Sequence, residues 1–273
     1  MTHQSSHTHA AESAVGNKNS GTIATRYVFV EMLFALAIAE VAVIASHVVR
    51  VSGPWTGKLP VTAHLTLGAI LIATSWLGWS ASLQRRREER AEHPFSWDFL
   101  GLLMDVLLVV FYFILVRQAE ITEEAPYRLT PPSAVPEATW LLVIFATYAV
   151  WDFVTDVLKE PNRSGPLAFA GLFFASAACS LVCTGLAGFV WRRACSESSG
   201  WAVVCLDGAL LSLVLLFRVI KGPVENGLRS VFPGLKEYKA FKSHRPEIAG
   251  EYMWTLGLVL AYIIFLLVAA WIS

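Results

Sequence analysis

Residues 27–48 read YVFVEMLFALAIAEVAVIASHV, an apolar run in which Glu31, Glu40 and His47 are the strongly polar positions. A helix over this run is long enough to cross the roughly 30 Å hydrocarbon core of a bilayer. Of the 273 residues in the chain, 55% are hydrophobic and 15% are charged, whereas soluble domains carry about 25% charged residues. The composition therefore predicts an all-α integral membrane protein. The formal net charge is zero, which gives no indication of a nucleic-acid partner.

Similar apolar runs recur along the chain, and we predict a polytopic bundle of seven transmembrane helices. The predicted spans cover residues 27–48, 61–83, 99–116, 140–158, 167–190, 201–220 and 252–272. Residues 1–22 are polar and are predicted to form a disordered tail. Residues 23–273 then form the seven-helix transmembrane domain, with a basic loop at 221–250.

The positions of Lys and Arg predict that the N-terminus is cytoplasmic. In that orientation the basic segments at 85–90 and 221–250 lie inside, and the 117–139 loop, rich in Glu and Pro, lies outside. Trp residues near both ends of the spans fit the aromatic belts of a bilayer. Compact loops and the lack of a cleavable signal in this sequence favour the bacterial inner membrane over other membranes.

Carboxylic acids inside the predicted helices are the main functional signal. They are Glu31, Glu40, Asp105, Asp152, Asp156 and Asp207. Each costs roughly 2.5–3.5 kcal/mol at a helix centre on insertion scales. We expect no Lys or Arg at comparable depth to neutralise them, so the acids are expected to face inward, toward one another, toward polar side chains or toward water.

Helical phase argues against one continuous path through these acids, and the predicted topology sorts them into two groups. Glu31 and Glu40 are nine residues apart, about 900° of rotation, so they point to opposite sides of the first helix. An inner group would contain Glu31, Asp105, Asp152 and Asp156, and an outer group would contain Glu40, His47, His64 and Asp207. The alternative for each acid is a structural hydrogen bond to a neighbouring helix. For Asp156, which lies beside Lys159, a position at the membrane interface is favoured.

The acids favour a cation- or proton-linked channel or transporter. Its predicted ion or proton pathway consists of Glu31, Glu40, Asp105, Asp152, Asp207, His47 and His64. The alternative is a non-transporting scaffold, sensor or effector. Its basic inner loop would bind a partner or anionic lipid headgroups through Lys236, Lys239, Lys242 and Arg245.

Other classes of site leave no trace in the sequence. No catalytic motif is present, so we predict that the protein is not an enzyme. No cofactor and no metal site are predicted, because the four Cys residues lack zinc-binding spacing and haem ligation by His47 and His64 is disfavoured at helix ends. The expected surroundings are the lipid bilayer and a possible homo-oligomer.

Residues 26–39, RYVFVEMLFALAIA, resemble the first helix of a family of bacterial and lysosomal potassium channels. That helix carries an Arg…Phe-Ser-Asp signature followed by a Phe-Ala-Ile-Ala run. The segment is also similar to the Glu-Leu-Phe-Phe-Asp opening of the low-temperature-requirement A family. Resemblance to the channels implies a multimeric cation pore lined by helix one, with Phe29 and Glu31 in the positions of the signature Phe and Asp. Val30 replaces the signature Ser.

Overall fold

A computed structural model describes residues 6–86, 97–122, 124, 126–154, 166–196 and 199–231. Within these ranges the chain is helical apart from its loops. The helices are α1 (Ser6–Arg50), α2 (Trp55–Arg86), α3 (Trp97–Arg117), α4 (Val135–Asp152), α5 (Pro166–Ala194) and α6 (Gly200–Val231).

Four segments within these helices are long and apolar enough to cross a membrane. They are Val28–Arg50, Trp55–Ala81, Phe99–Arg117 and Gly200–Val224. They agree with the predicted spans at 27–48, 61–83, 99–116 and 201–220, so the prediction of an all-α membrane protein with several spans is supported. Helix α4 (Val135–Asp152) overlaps the predicted span at 140–158, whose last residues lie outside the described part of the chain, and α5 (Pro166–Ala194) contains the predicted span at 167–190. Neither helix is among the four candidate spans. The seventh predicted span, 252–272, lies outside the described residues.

Helix α1 packs one narrow stripe of side chains against the rest of the bundle. Val30, Phe34, Ala37, Ile44 and Val48 are buried, at the spacing of three and four residues that marks one side of a helix. The other sides expose large apolar residues, which include Met32, Leu36 and Val43. A helix that is apolar on all sides suits a position facing lipid. Helix α1 begins at Ser6, inside the polar segment 1–22 for which the sequence predicts a disordered tail.

The remaining helices close into a ring. Helix α2 contacts α3, α3 contacts α4, α4 contacts α5, α5 contacts α6, and α6 returns to α2, while α1 lies against α2 and α3. Aromatic side chains pack between neighbouring helices of the bundle. The Phe34 ring centroid lies 5.9 Å from that of Trp79 and 6.3 Å from that of Tyr112, and Phe145 meets Phe217 edge-on at 5.2 Å.

The loops that follow α1, α3 and α5 lie together at one end of the bundle, which we call the upper end. The first of these is short, and Gly53 turns the chain there with φ +136°, a conformation that favours glycine. The second folds back on itself, with an isolated bridge between Ile121 and Leu129. Helices α2, α4 and α6 all begin at the upper end, so they run in the same direction.

Candidate functional site

A buried group of ionisable side chains lies at the upper end, inside the ring. His64 on α2 and Glu137 on α4 are fully buried, and Glu120, from the loop after α3, is 6% exposed. His64 Nδ1 contacts Glu137 Oε1 and lies 3.8 Å from Glu120 Oε2. One potential ligand atom from each of the three residues lies within 4.8 Å of the others. We call these three residues, together with Asp207 of α6, the upper site.

The fold of the second loop explains why Glu120 is buried. The Thr130 amide donates to the Glu120 carbonyl at 3.1 Å, and the Thr122 amide donates to the Arg128 carbonyl at 2.9 Å. The Ser133 amide donates to Glu120 Oε1 at 3.4 Å. These bonds hold the Glu120 carboxylate against the start of α4, where Glu137 belongs to the first turn. The loop thus brings a second carboxylate to His64.

Several oxygen atoms of the upper site lack hydrogen-bond partners within the described chain. They are Glu120 Oε2, Glu137 Oε2, Asp207 Oδ1 and Asp207 Oδ2. Asp207 is 1% exposed and interacts electrostatically with both Glu137 and Glu120. Burying a carboxylate without a partner is costly. The upper site therefore has unused capacity to hold positive charge.

Glu120 lies outside the membrane-spanning segments, and its protonation is sensitive to its neighbours. Burial and the nearby Glu137 carboxylate raise the pKa of Glu120 to about 7, whereas His64 and two backbone hydrogen bonds lower it. Desolvation penalises the charged form, and a like charge adds to that penalty. A cation at the site would act in the opposite direction and favour the ionised carboxylate.

A second polar group, which we call the lower network, lies farther from the upper end and connects α2, α3, α4 and α6. It consists of Ser75 on α2, Tyr112 on α3, Tyr148 on α4 and Arg218 on α6. Arg218 donates to Ser75 Oγ at 2.6 Å and to the Tyr148 hydroxyl at 2.7 Å. The Tyr112 and Tyr148 hydroxyls are 2.5 Å apart. The Arg218 Nε has no hydrogen-bond partner among the described residues.

The two groups are related by a constant spacing on three helices. His64 and Ser75 are eleven residues apart, as are Glu137 and Tyr148, and Asp207 and Arg218. Eleven residues make about three helical turns and about 16 Å of rise, so the two members of each pair share one face. Helices α2, α4 and α6 therefore each supply one residue to the upper site and one to the lower network.

Apolar side chains fill the space between these two groups, and we call them the apolar layer. Its members are Leu67, Leu71, Ile72, Leu141, Ile144 and Leu210, each 1% exposed or less. Phe145 and Phe217 continue this packing toward the lower network. Within the described chain, the polar groups are thus two separate sites and not one continuous conduit.

Asp152, assigned by sequence to an inner acidic group, has a basic partner. Its Oδ1 accepts a hydrogen bond from Lys221 Nζ at 2.5 Å, and its Oδ2 accepts one from Ser180 at 2.7 Å. Glu40 is likewise paired, with Arg117 Nε at 2.7 Å. The expectation that no Lys or Arg lies near the acids is therefore wrong. The sequence assigned both cations to loops or helix ends, but α6 continues to Val231 and so includes Lys221, and Arg117 at the end of α3 lies beside Glu40 of α1.

The outer group predicted from the sequence is divided by the structure. His64 and Asp207 belong to the upper site. Glu40 pairs with Arg117, and His47 stacks on Tyr127 at a centroid distance of 4.1 Å. Glu40 and His47 share a helix face, as predicted, but that face is directed toward the ends of α3 and the second loop and not toward His64.

The predicted inner group is not assembled either. Glu31 is exposed on the surface of the single chain, so the expectation that it faces the inside of the bundle is wrong. Asp105 accepts a hydrogen bond from the Trp151 indole at 2.9 Å. Asp156 and the predicted contacts Lys236, Lys239, Lys242 and Arg245 lie outside the described residues.

Glu120 and Glu137 are the members of the upper site that the sequence analysis missed. They were assigned to a solvated acidic loop, because Glu123, Glu124 and several prolines surround them. The eleven-residue spacing of Glu137 and Tyr148 is the signal that relates Glu137 to the two other helices. Nothing in the local sequence distinguishes Glu120 from its acidic neighbours.

Comparisons with protein-family models, curated proteins and solved structures find no match to this chain. The class that fold and site define is a multi-pass helical membrane protein with buried carboxylates.

Proposed function

We propose that this protein is a membrane transporter that binds a cation or protons at the upper site and moves them across the bilayer. The proposal rests on one observation. Three carboxylates and one His meet inside the ring, and four of their oxygens have no hydrogen-bond partner within the described chain. His64 and Asp207 lie within candidate membrane spans, and an ionisable residue at such a position is by default a candidate for an ion or proton pathway.

A transporter is favoured over an open channel by what lies below the upper site. The apolar layer offers no polar group to replace the hydration of an ion. Arg218 then adds a fixed positive charge, which repels cations. A cation that has reached the upper site therefore needs a rearrangement of the helices to continue. The proposal includes the seven-span topology with a cytoplasmic N-terminus.

Flux into liposomes tests the proposal. Vesicles containing the purified chain should take up protons or cations faster than empty vesicles, as followed by pH-sensitive and cation-sensitive dyes. Glu137→Gln removes a buried charge of the upper site and should lower this flux below about a tenth, because transport depends on that charge. Glu120→Gln, in a loop, should have the same effect without altering a helix.

Glu124→Gln is the matched control, since it removes an exposed carboxylate from the same loop as Glu120 and should leave the flux unchanged. Wild-type vesicles with no flux above empty vesicles at any pH would overturn the proposal. That result would favour the alternative of a non-transporting scaffold, sensor or effector.

A further inference from the structure

The geometry of His64 points to a particular kind of ligand at the upper site. Its Nε2 lies 2.8 Å from the Leu115 carbonyl oxygen. A carbonyl oxygen can only accept, so Nε2 carries a proton and donates it. Nδ1 forms a hydrogen bond with Glu137 Oε1, which requires one proton between the two atoms. Release of that proton would leave a neutral imidazole whose Nδ1 lone pair is directed toward Glu120 and Glu137. Histidines that bind metals commonly donate their other ring N–H to a backbone carbonyl in this way.

We propose that the upper site binds one divalent transition-metal ion of the Zn²⁺ type, with His64 Nδ1, Glu120 and Glu137 as its ligands. The proposal deepens the proposed function, because it names the cation that the transporter would carry. It rests on the placement of the three side chains and on their unpartnered oxygens.

The distances suit a single ion. Zn²⁺ lies about 2.0–2.2 Å from nitrogen and carboxylate ligands, so two ligand atoms on one tetrahedral ion are about 3.4 Å apart. The His64 Nδ1 to Glu120 Oε2 distance is 3.8 Å, and the three ligand atoms lie within 4.8 Å of one another. A small rotation of the Glu120 carboxylate would bring it to that separation, and a rotation of the Glu137 carboxylate would move Oε1 away from its present contact with Nδ1.

The ligand atoms decide between classes of cation. Mg²⁺ and Ca²⁺ prefer oxygen ligands alone, whereas imidazole nitrogen suits Zn²⁺ and its transition-metal neighbours. Charge balance agrees with a divalent ion, because two ionised glutamates and a neutral His64 give zero net charge with it. Asp207 places a third buried carboxyl group close to the ligands, with both of its oxygens unpartnered within the described chain.

Zinc binding by the purified full-length chain tests this proposal. The chain carries His3, His7 and His9 in its N-terminal segment, so these are replaced by Ala to prevent adventitious binding. After removal of metal with EDTA, Zn²⁺ alone is added and bound metal is measured by mass spectrometry. We expect one Zn²⁺ per chain, which excess Mg²⁺ or Ca²⁺ does not displace.

Substitutions should locate the ion. Glu120→Gln and His64→Gln should each weaken Zn²⁺ binding by about tenfold or more, whereas Glu40→Gln, a carboxylate at the same end of the bundle, should not. X-ray absorption at the zinc edge, measured on the protein with an unsubstituted upper site, should show one His ligand and oxygen ligands. Absence of stoichiometric Zn²⁺, unchanged binding in the Glu120 and His64 variants, or sulfur ligands would each overturn the proposal.

Binding and flux separate this proposal from the transporter function. Zn²⁺ binding in a protein without flux would support the metal site and overturn transport. Proton flux in a protein that binds no Zn²⁺ would support transport and overturn the metal site.

Discussion

Buried carboxylates in this protein differ in what pairs with them, and this difference separates an acid with a structural role from acids that are candidate ligands. Asp152 is 1% exposed and accepts hydrogen bonds from both Lys221 and Ser180. Its bonds tie α4 to α6 and α5. Glu137 is equally buried, but its Oε2 has no hydrogen-bond partner among the described residues. The first acid therefore holds helices together, and the second remains available to a ligand.

The structural role of Asp152 predicts a strong thermodynamic coupling to Lys221. Asp152→Asn and Lys221→Met should each destabilise the bundle by about 3 kcal/mol, because each leaves a poorly solvated charge or dipole without its partner. The double variant should recover much of that loss. Thermal unfolding in detergent measures the four proteins of this double-mutant cycle.

Glu40 and Arg117 provide the matched control for this cycle, since the Arg117 side chain is 46% exposed. A pair at such a surface should show a coupling of about 1 kcal/mol or less. Equal couplings in the two cycles would contradict the distinction between a buried structural pair and a surface pair.

Sequence analysis could identify which residues are ionisable but not which of them meet. His64 and Asp207 were predicted because they interrupt apolar runs. Glu120 was not, because its burial depends on backbone hydrogen bonds within the second loop, which no local pattern encodes. Lys221 was assigned to a basic loop, although its Nζ lies at Asp152.

At the scale of the elements, the contact between α2 and α3 positions His64 against the Leu115 carbonyl. Gly68 on α2 lies one turn from His64, and a Cβ added there would lie 2.8 Å from Val116 Cγ2 and 3.6 Å from a Leu115 methyl carbon. Contacts shorter than 3.0 Å cannot be kept, so either the Val116 side chain, which is β-branched and stiff, or one of the two helices must shift. Gly68 therefore permits the close approach on which the His64–Leu115 hydrogen bond depends.

Gly68→Ala should therefore destabilise the bundle by about 1–3 kcal/mol, the usual cost of overpacking. Thermal unfolding measures the loss. The same change should also weaken Zn²⁺ binding if the upper site holds that ion.

Gly185→Ala is the control, because an added Cβ at that position on α5 has nothing within 4 Å. Like Gly68→Ala, it replaces a glycine inside a helix, but it creates no steric conflict, and alanine is the better helix former. Equal loss of stability in the two variants would contradict the role of the α2–α3 contact, since helix propensity alone favours alanine at both positions.

The helices themselves were largely predictable because apolar length is a strong signal in lipid. Helix α4 begins five residues earlier than the predicted span at 140–158. Pro136 and Glu137 suggested a loop, but proline is compatible with the first helical turn, where its missing N–H needs no partner. The position of α4 between α3 and α5 in the ring could not be predicted, since it depends on tertiary packing.

For the whole molecule, the orientation in the membrane is the main open prediction, and native cysteines can test it. Cys195 is exposed at the upper end, whereas Cys179 and Cys183 are buried. If the N-terminus is cytoplasmic, a membrane-impermeant maleimide added to intact cells should label Cys195. Replacing Cys195 with Ser, with Cys205 also replaced, should remove that label, as read by gel shift.

Gly222 supplies the matching position at the other end of α6, because it is exposed and an added Cβ there has nothing within 4 Å. In the background without Cys195 and Cys205, Gly222→Cys should react only after the cells are permeabilised. The opposite labelling pattern would contradict the predicted orientation.

The constant three-turn spacing between the upper site and the lower network restricts how the helices can move. Rotation of α2, α4 or α6 about its own axis would move both of its polar residues through the same angle. It would therefore break its contacts in the upper site and in the lower network together. Tilting the helix about the apolar layer moves those residues in opposite directions, so one end opens while the other tightens. In such a tilt, the tightly packed Leu and Ile side chains of the apolar layer would be the pivot, and each polar group would lie about 8 Å from it along the helix.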